Sequence, residues 1–303
     1  ELQAGWLGIS SYIVPEEPNI ETVLEGIENQ MEIIISFSGF YWPSQNLNLI
    51  GDWNTYEGYK IKMNEPALLE MFGFPAETEL MMPAGLQYMP MLSPDPLTNQ
   101  FFADMGDALM FAFNIQEGTV YWPDGGIATL EVLVPGVGYL VRLNESIMVD
   151  FAGKETATHT QTVQQVINTS PWNDVANTGI PHIISISAEA LEQFLVDDHI
   201  GVFTGSGLCA GLAVVQDNKQ NLSLVAYGDE MMTTSTDGLI QGEPLNLKVY
   251  RPGTGEISDL GATYSPQFNT GVFEHGGVSL ITHLKAEALG VGHSGDNQPG
   301  VYP

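Results

Sequence analysis

The tripeptide Tyr-Trp-Pro occurs twice in this chain, at residues 41–43 and again at residues 121–123. The same offset of 80 residues aligns other identical pairs without a gap, and 11 of 61 aligned positions match. One of these matches places Ile35 opposite Ile115. Turn and aromatic residues that recur at a constant spacing indicate one folding unit that occurs twice. The sequence therefore predicts a tandem repeat in the first half of the chain.

The two repeat modules, residues 1–80 and 81–152, are predicted to be mainly β with a short helix in each. Apolar runs in both copies indicate buried strands, and residues 58–63 alternate with the period of two that is typical of a strand. In that segment Lys60 and Lys62 lie on one face, opposite the apolar side chains. We therefore expect α+β repeat modules in which short strands dominate.

The remainder of the chain divides by composition. Residues 153–180 are rich in Thr, Gln, Asn and Ser and are predicted to form a polar connector. Residues 181–289 contain short apolar runs separated by Gly, Asp and Asn, at the spacing expected of an antiparallel β-sandwich. Residues 290–303 are rich in Gly, Pro and polar residues and are predicted to form a flexible tail.

The charge of the chain is one-sided, with 37 acidic residues, 8 basic residues and a formal net charge of −29. Such a surface repels nucleic-acid phosphates and anionic lipid headgroups, so we expect no nucleic-acid partner. No apolar run reaches the length of a membrane-spanning helix, and we predict no membrane insertion. Cations are the natural counterpart, either as salt that screens the repulsion or as divalent ions that bridge carboxylates.

Characteristic residues of the first module are Ala4-Gly5-Trp6, Gly39-Phe-Tyr-Trp-Pro43, Gly51-Asp-Trp53 and Gly58-Tyr59. This succession resembles a duplicated module found near the C-termini of large extracellular proteins that the type IX secretion system of Bacteroidetes exports. The resemblance covers residues 4 to about 150. The second copy departs from the pattern where Leu86 and Leu133 replace the first and last tryptophans.

Two later segments are similar to other parts of such proteins. Residues 200–252, with Gly207-Leu-Cys-Ala-Gly211 and Tyr250-Arg-Pro252, resemble a β-sandwich module that often follows the repeats. Val301-Tyr-Pro303 resembles the opening of the sorting domain that ends these proteins, so we expect the tail to lead into a lost sorting domain. The resemblance implies export to the cell surface or the extracellular space, and it carries over no catalytic residues.

No motif in the sequence supports an enzymatic function. The segment Gly292-His-Ser-Gly-Asp296 lacks the second glycine of a nucleophile elbow. The six histidines have neither the His-x-His nor the His-Glu-x-x-His spacing of a zinc site. We therefore predict a protein without enzymatic activity.

The loop from Gly228 to Gly238 is the best candidate for a metal site. Asp229, Glu230 and Asp237 would supply the hard oxygen ligands that Ca²⁺ prefers. The spacing is not that of an EF-hand, and an acidic solvated turn is the other interpretation of the same residues. Calcium is the only cofactor that the sequence suggests.

Trp42 and Trp122 also have two interpretations, as packing anchors or as platforms on which sugar rings stack. We expect a non-enzymatic structural or adhesive protein, secreted or on the cell surface, that associates with other surface proteins or with copies of itself. It would then be a subunit of an extracellular assembly or filament. The alternative is a carbohydrate-binding appendage of an exported polysaccharide hydrolase, with the two tryptophans in its binding site.

Overall fold

The computed structural model of the chain describes residues 1–157, 168–230, 232–268 and 270–286. The described chain is mainly β, as the sequence predicts, and its three α-helices are each five residues or shorter. No helix in these ranges is both long and apolar enough to cross a bilayer. The predicted tail and part of the predicted connector lie outside the described residues.

The first 150 residues form β1 (Gly5–Ile9), β2 (Ile13–Pro15), α1 (Ile20–Leu24), β3 (Met31–Ile35), β4 (Phe40–Trp42), β5 (Leu47–Asn48), β6 (Tyr59–Met63), β7 (Gly73–Pro75), β8 (Glu79–Met82), β9 (Gly85–Met89), β10 (Leu97–Thr98), α2 (Gln100–Ala103), β11 (Leu109–Phe113), β12 (Val120–Trp122), β13 (Ile127–Ala128), β14 (Val132–Leu133), β15 (Tyr139–Leu143) and β16 (Ile147–Asp150). Short 3-10 helices lie at Pro43–Gln45 and Gly106–Ala108. The later residues form β17 (Pro181–Ile186), α3 (Ala188–Leu191), β18 (His199–Phe203), β19 (Cys209–Val214), β20 (Leu222–Tyr227), β21 (Asn246–Arg251), β22 (Glu256–Tyr264) and β23 (Gly277–Ala286).

Two five-stranded antiparallel sheets lie in the first part of the chain, and their strands have the same order. The first sheet is β1-β6-β3-β4-β5 and the second is β9-β15-β11-β12-β13. Gly5 lies opposite Met63 in the first sheet, and Gly85 lies opposite Leu143 in the second. Gly5 and Gly85 are 80 residues apart in sequence, and so are Met63 and Leu143, so the offset read from the sequence also relates positions in the two sheets.

A buried tyrosine fixes a loop against the same strand in both sheets. The hydroxyl of Tyr59 accepts a hydrogen bond from the Asn54 N–H at 2.7 Å, and that of Tyr139 accepts one from the Val134 N–H at 2.7 Å. Burial raises the pKa of both tyrosines. A buried hydroxyl needs a hydrogen-bond partner, which explains why Gly-Tyr recurs with the same loop before it.

The ungapped sequence alignment is wrong for one strand. Ile35 lies opposite Lys60, and Phe113 lies opposite Leu140, the counterpart of Lys60. The structural counterpart of Ile35 is therefore Phe113 rather than Ile115. The reason is hairpin length, because four residues join β3 to β4 whereas six residues join β11 to β12.

The two N-terminal sheets touch through glycines in a reciprocal contact. A side chain on Gly8 would come within 1.8 Å of the Gly138 carbonyl oxygen, and one on Gly58 within 2.9 Å of the Met89 carbonyl oxygen. The Gly58 N–H also donates to the Tyr88 carbonyl at 2.9 Å. Since Tyr88 is the counterpart of Gly8, each unit presents the same two positions to the other, as in a twofold contact.

The C-terminal part forms one seven-stranded sheet in the order β19-β18-β21-β22-β23-β17-β20. Its pairs are antiparallel except β17 with β23, which are parallel. Its edge strands approach each other, since a side chain on Gly211 of β19 would come within 2.5 Å of the Val225 carbonyl oxygen of β20. The structure thus differs from the predicted antiparallel sandwich, because alternation along a strand reports buried faces and does not assign partners.

Both faces of the first sheet are covered. Tyr59, Ile61 and Met63 of β6 pack into the core of the first unit, together with apolar residues of α1. The opposite face contributes Trp6 to a second cluster, which also contains apolar residues of the second sheet and of the C-terminal sheet. This shared cluster joins the three sheets, and Lys60 lies beside it with only 5% of its surface exposed.

The end of the predicted connector is packed between these parts. The amide of Asn177 donates to the Ile115 carbonyl at 2.6 Å, in the second N-terminal unit. The hydroxyl of Thr178 donates to the Gly228 carbonyl at 2.7 Å, in the C-terminal part. The polar composition of this segment is therefore used to satisfy backbone groups of the elements on either side.

We expect Gly8→Ala to destabilise the protein because the added methyl group would collide with the backbone of Gly138. Overpacking lowers the free energy of unfolding by about 1–3 kcal/mol. We expect a loss of about 3 kcal/mol here, because the atoms in the way belong to the backbone and cannot rotate aside. Urea unfolding followed by tryptophan fluorescence measures this difference. Gly26→Ala is the matched control, since nothing lies within 4 Å of a side chain there. Equal stabilities of the two variants would contradict the contact.

Candidate functional site

A buried carboxylate joins the first N-terminal sheet to the C-terminal part. Glu230, which follows β20, is 6% exposed. Lys62 of β6 donates to its Oε1 at 2.5 Å, and the indole N–H of Trp6 donates to its Oε2 at 3.0 Å. Lys62 also pairs with Glu32 of β3 at 3.2 Å. We refer to Trp6, Lys60, Lys62 and Glu230 as the clamp.

Lys60 is the more deeply buried lysine of the clamp. Its ammonium lies 4.1 Å from the centre of the Trp6 ring and donates to the Gly179 carbonyl at 3.2 Å. Burial lowers the pKa of Lys60 to about 8, the charge of Glu230 opposes this shift, and the charge of Lys62 adds to it. The ring and the carbonyl replace only part of the water that a lysine loses on burial.

The pKa of Lys62 moves in the opposite direction. Burial alone would lower it, but the hydrogen bonds and charges of Glu230 and Glu32 raise it above its ordinary value. Two lysines on one face of the same strand thus differ because only one of them donates to carboxylates. Lys62 therefore remains an ammonium that donates to Glu230.

The second N-terminal sheet meets the C-terminal part at equivalent positions but with different chemistry. Arg142, the counterpart of Lys62, pairs with Glu274 at 3.6 Å, and the two side chains are 29% and 48% exposed. Leu86, the counterpart of Trp6, lies against Gly276, where a side chain would come within 2.6 Å of it. An exposed pair of this kind contributes little stability, whereas the Glu230 carboxylate of the clamp is buried with a partner on each oxygen.

The structure does not bring the three predicted calcium ligands into one ligand set. Asp229 accepts a hydrogen bond from the Asp237 N–H at 2.8 Å, and Asp237 accepts one from the Glu230 N–H at 2.8 Å. The carboxylate of Glu230 belongs to the clamp instead. Within the described ranges, no three His, Cys, Asp or Glu side chains are grouped to hold a metal ion. The geometry favours an acidic turn braced by its own aspartates.

A buried histidine and serine pair lies between β17 and β23. The Nε2 atom of His182 is 2.8 Å from the Ser279 hydroxyl, and its Nδ1 atom lies 3.0 Å from the Glu274 nitrogen and 3.1 Å from the Glu274 carbonyl oxygen. Both ring nitrogens thus have partners inside the fold, as a buried imidazole requires. Burial lowers the pKa of His182 to about 4, and both side chains are fully buried. The pair is structural.

The two repeated tryptophans lie in the cluster shared by the three sheets. Trp122 is fully buried and packs edge to face against Phe268, with ring centres 5.3 Å apart. Trp42 is only partly buried at the margin of the same cluster. A sugar ring has no access to Trp122 in this arrangement, so packing is the favoured interpretation for that residue.

A cleft of about 500 Å³ lies between the second N-terminal sheet and the C-terminal part. Its lining includes the amide side chains of Gln116, Gln216 and Gln220. Amides both donate and accept hydrogen bonds, so they suit a neutral ligand with many hydroxyl groups. No sequence motif marks this cleft, because its residues come from two distant parts of the chain.

No family model matches this chain, and no curated protein or solved structure matches it. The interpretation of the clamp therefore depends on its geometry. Sequence reasoning singled out Glu230 and placed Lys60 and Lys62 on one face, but it missed their contact, because 168 residues separate Lys62 from Glu230. The sequence did hold one indication of this site: two of only 8 basic residues, Lys60 and Lys62, lie on the same face of one predicted strand.

We expect Glu230→Gln to lower the free energy of unfolding by about 2 kcal/mol, because Lys62 loses a charged hydrogen-bond partner in a largely buried place. Chemical unfolding of the variant against the parent chain measures the loss. Glu256→Gln is the control, since Glu256 pairs with Arg251 at the surface and its side chain is 50% exposed. That change should cost less than about 1 kcal/mol. Similar losses in both variants would contradict a special role for the clamp.

We expect the unfolding free energy to rise between pH 8 and 10 through Lys60, whose pKa falls from 10.5 to about 8 on folding. Below pH 8 both states are protonated and folding buries an ammonium; above it the folded state releases the proton first, so this penalty shrinks by about 2 kcal/mol by pH 10. The Lys60→Met variant buries no ammonium at this position, so its free energy of unfolding lacks this pH-dependent penalty. Its stability advantage over the parent should therefore decrease by that amount as pH rises, and a constant difference would refute the shift.

Proposed function

We propose that this chain is a non-enzymatic structural or adhesive unit of a secreted or cell-surface protein. The observation that carries the proposal is the clamp, in which ionisable side chains that a catalyst would present to a substrate are buried and used to join sheets. Glu230 has both carboxylate oxygens occupied by Lys62 and Trp6.

The distribution of charge supports an adhesive role. Six of the eight basic residues are buried or paired with acidic side chains: Lys60, Lys62, Arg142, Lys154, Lys248 and Arg251. Most of the 37 acidic residues therefore have no basic partner, and the surface is acidic. Such a surface repels its own copies at low salt and favours contacts that cations bridge. The partners we propose are other surface proteins or copies of the chain.

We also propose that the two N-terminal sheets are copies of one ancestral unit. Support comes from their common strand order, from the two tyrosine hydroxyls that hold equivalent loops, and from the reciprocal glycine contact between them. Duplication of a unit that packs against its own copy is an economical way to build an extended surface body.

The alternative function is carbohydrate binding as an appendage of an exported polysaccharide hydrolase. One observation favours it, the cleft with its glutamine amides. The partly buried Trp42 lies in the shared cluster rather than in the lining of that cleft. A polysaccharide site would thus use the amide cleft rather than the pair of tryptophans chosen from the sequence.

Beads coated with the full chain test the adhesive proposal. We expect them to stay dispersed at low salt with a chelator and to cluster when Ca²⁺ is added, because the divalent ion offsets the repulsion between acidic surfaces. Beads coated with a neutral globular protein are the control. A glycan array run in parallel identifies the alternative. Retention of one polysaccharide that Gln216→Ala abolishes, with no clustering of beads in any salt, would refute the adhesive function.

A further inference from the structure

Two hydroxyl groups in the cleft between the second N-terminal sheet and the C-terminal part have no partner in the fold. Tyr227, the last residue of β20, lines the cleft and is 8% exposed. Its hydroxyl bonds to no described residue, and burial raises its pKa, so it keeps its proton. The hydroxyl of Ser223 is buried in the same lining and also bonds to no described residue. Buried polar groups without a partner are rare in native structures, so both indicate a ligand.

The alternation of β20 directs both hydroxyl groups to the cleft. Leu224 and Ala226 pack into the core of the C-terminal sheet. Ser223, Val225 and Tyr227 alternate with them and lie on the opposite face of the strand, in the lining of the cleft. The Tyr227 ring belongs to the cluster shared by the three sheets, so its packing fixes the position of the hydroxyl.

A hairpin of the second N-terminal unit forms one wall of the cleft beside Tyr227. It joins β11 to β12, is two residues longer than the hairpin of the first unit, and contributes Gln116, Glu117 and Gly118 to the lining. Gly118 has a φ of +69°, which only glycine adopts without strain. A side chain there would come within 3.3 Å of the Tyr227 hydroxyl oxygen. Glycine thus leaves this hydroxyl uncrowded on the side of the hairpin.

The floor of the cleft is apolar around the two hydroxyl groups. Val225 lies between them on β20, and Leu212 and Val214 of β19 are partly exposed in the same lining. The volume of about 500 Å³ is within the range of about 300–1,000 Å³ for small-molecule sites. A floor of this kind suits a molecule with apolar faces and polar edges. Sugar rings have this character, because their faces carry C–H groups and their edges carry hydroxyl groups.

The amide side chains at the rim of the cleft differ in their partners. Asn177 and Asn221 donate to backbone carbonyls of the second N-terminal unit. Gln116 and Gln216 are exposed, and their side chains bond to no described residue. Each of these glutamines can donate to one hydroxyl group of a ligand and accept from another. The rim and the floor therefore offer hydrogen bonds to the same neutral molecule.

The charge of the lining disfavours an acidic ligand. Glu117 and Asp217 contribute carboxylates, and the residues that the structure describes in the lining include no lysine, arginine or histidine. Lys219 lies in the loop that follows Asp217, but it is exposed and does not belong to the lining. A uronate or sulfate group in the cleft would therefore be repelled, whereas a neutral sugar would not.

We propose that the cleft binds a short segment of a neutral glycan. Its ring faces pack against Val225 and Leu212, and its hydroxyl groups bond to Tyr227 and Ser223. The inference deepens the adhesive function and rests on it for the source of the glycan, which would belong to an opposing surface. The chemistry of the site rests on the lining alone.

An oligosaccharide array probed with the full chain tests the proposal. The array carries neutral oligosaccharides of glucose, mannose, galactose, xylose and N-acetylglucosamine, with uronate and sulfated oligosaccharides of the same length. We expect retention on at least one neutral oligosaccharide and on none of the acidic ones. Titration calorimetry then measures the affinity for the oligosaccharide that is retained. Retention on the acidic oligosaccharides, or on no neutral one, would overturn the proposal.

Two tyrosine variants locate the site. Tyr227→Phe removes the hydroxyl and keeps the ring, so we expect the affinity to fall about five- to tenfold through the loss of one hydrogen bond to the sugar. The melting temperature should stay the same, because this hydroxyl has no partner among the described residues. Tyr139→Phe is the matched control, since the Tyr139 hydroxyl accepts the Val134 N–H. That change should lower the melting temperature and leave the affinity unchanged.

Equal affinities of Tyr227→Phe and the parent chain would place the sugar elsewhere and reject the cleft. The bead assay separates this outcome from the fate of the adhesive function. Clustering of beads without binding of any neutral oligosaccharide would keep adhesion and remove the glycan site. Oligosaccharide binding that weakens in Tyr227→Phe, without clustering, would keep the glycan site and count against adhesion.

Discussion

The buried carboxylate of Glu230 is the interaction on which the arrangement of the three sheets depends. It lies between Lys62 and Trp6, and it is held by hydrogen bonds to both. A buried charge without partners is strongly unfavourable, so this carboxylate stabilises only the arrangement in which the first sheet and the C-terminal part are in contact. Apolar packing brings the sheets together, and the charged contact selects their relative positions.

Burial on both faces explains the chemistry of the N-terminal sheets. A sheet with one exposed face would place Lys60 and Lys62 in water, where neither needs a partner. Here the C-terminal part covers that face, so one lysine pairs with carboxylates and the other lies against Trp6 with a lowered pKa. In the second sheet the equivalent positions hold Leu86, which is apolar, and Arg142, whose side chain is more exposed than that of Lys62. Two sheets with the same strand order thus differ in chemistry where they meet the C-terminal part.

The internal use of basic residues has a consequence for the outside of the molecule. Because six of the eight basic side chains lie within the clamp or in ion pairs, the surface remains acidic and repels other acidic surfaces. Association with a charged partner then needs either bridging cations or a partner with basic side chains.

The sequence by itself determined the mainly β class, the 80-residue offset and the alternation of β6, because periodicity and repetition are local properties. It did not determine the partners of strands: the nine-residue β22 was not predicted, and a parallel pair lies where an antiparallel sandwich was expected. The role of Glu230 was decided only by the tertiary structure. Its own loop suggested a calcium ligand, but its carboxylate accepts a hydrogen bond from Lys62, which is 168 residues away in sequence. Contacts between distant segments follow from which faces the fold covers, and no local pattern encodes that.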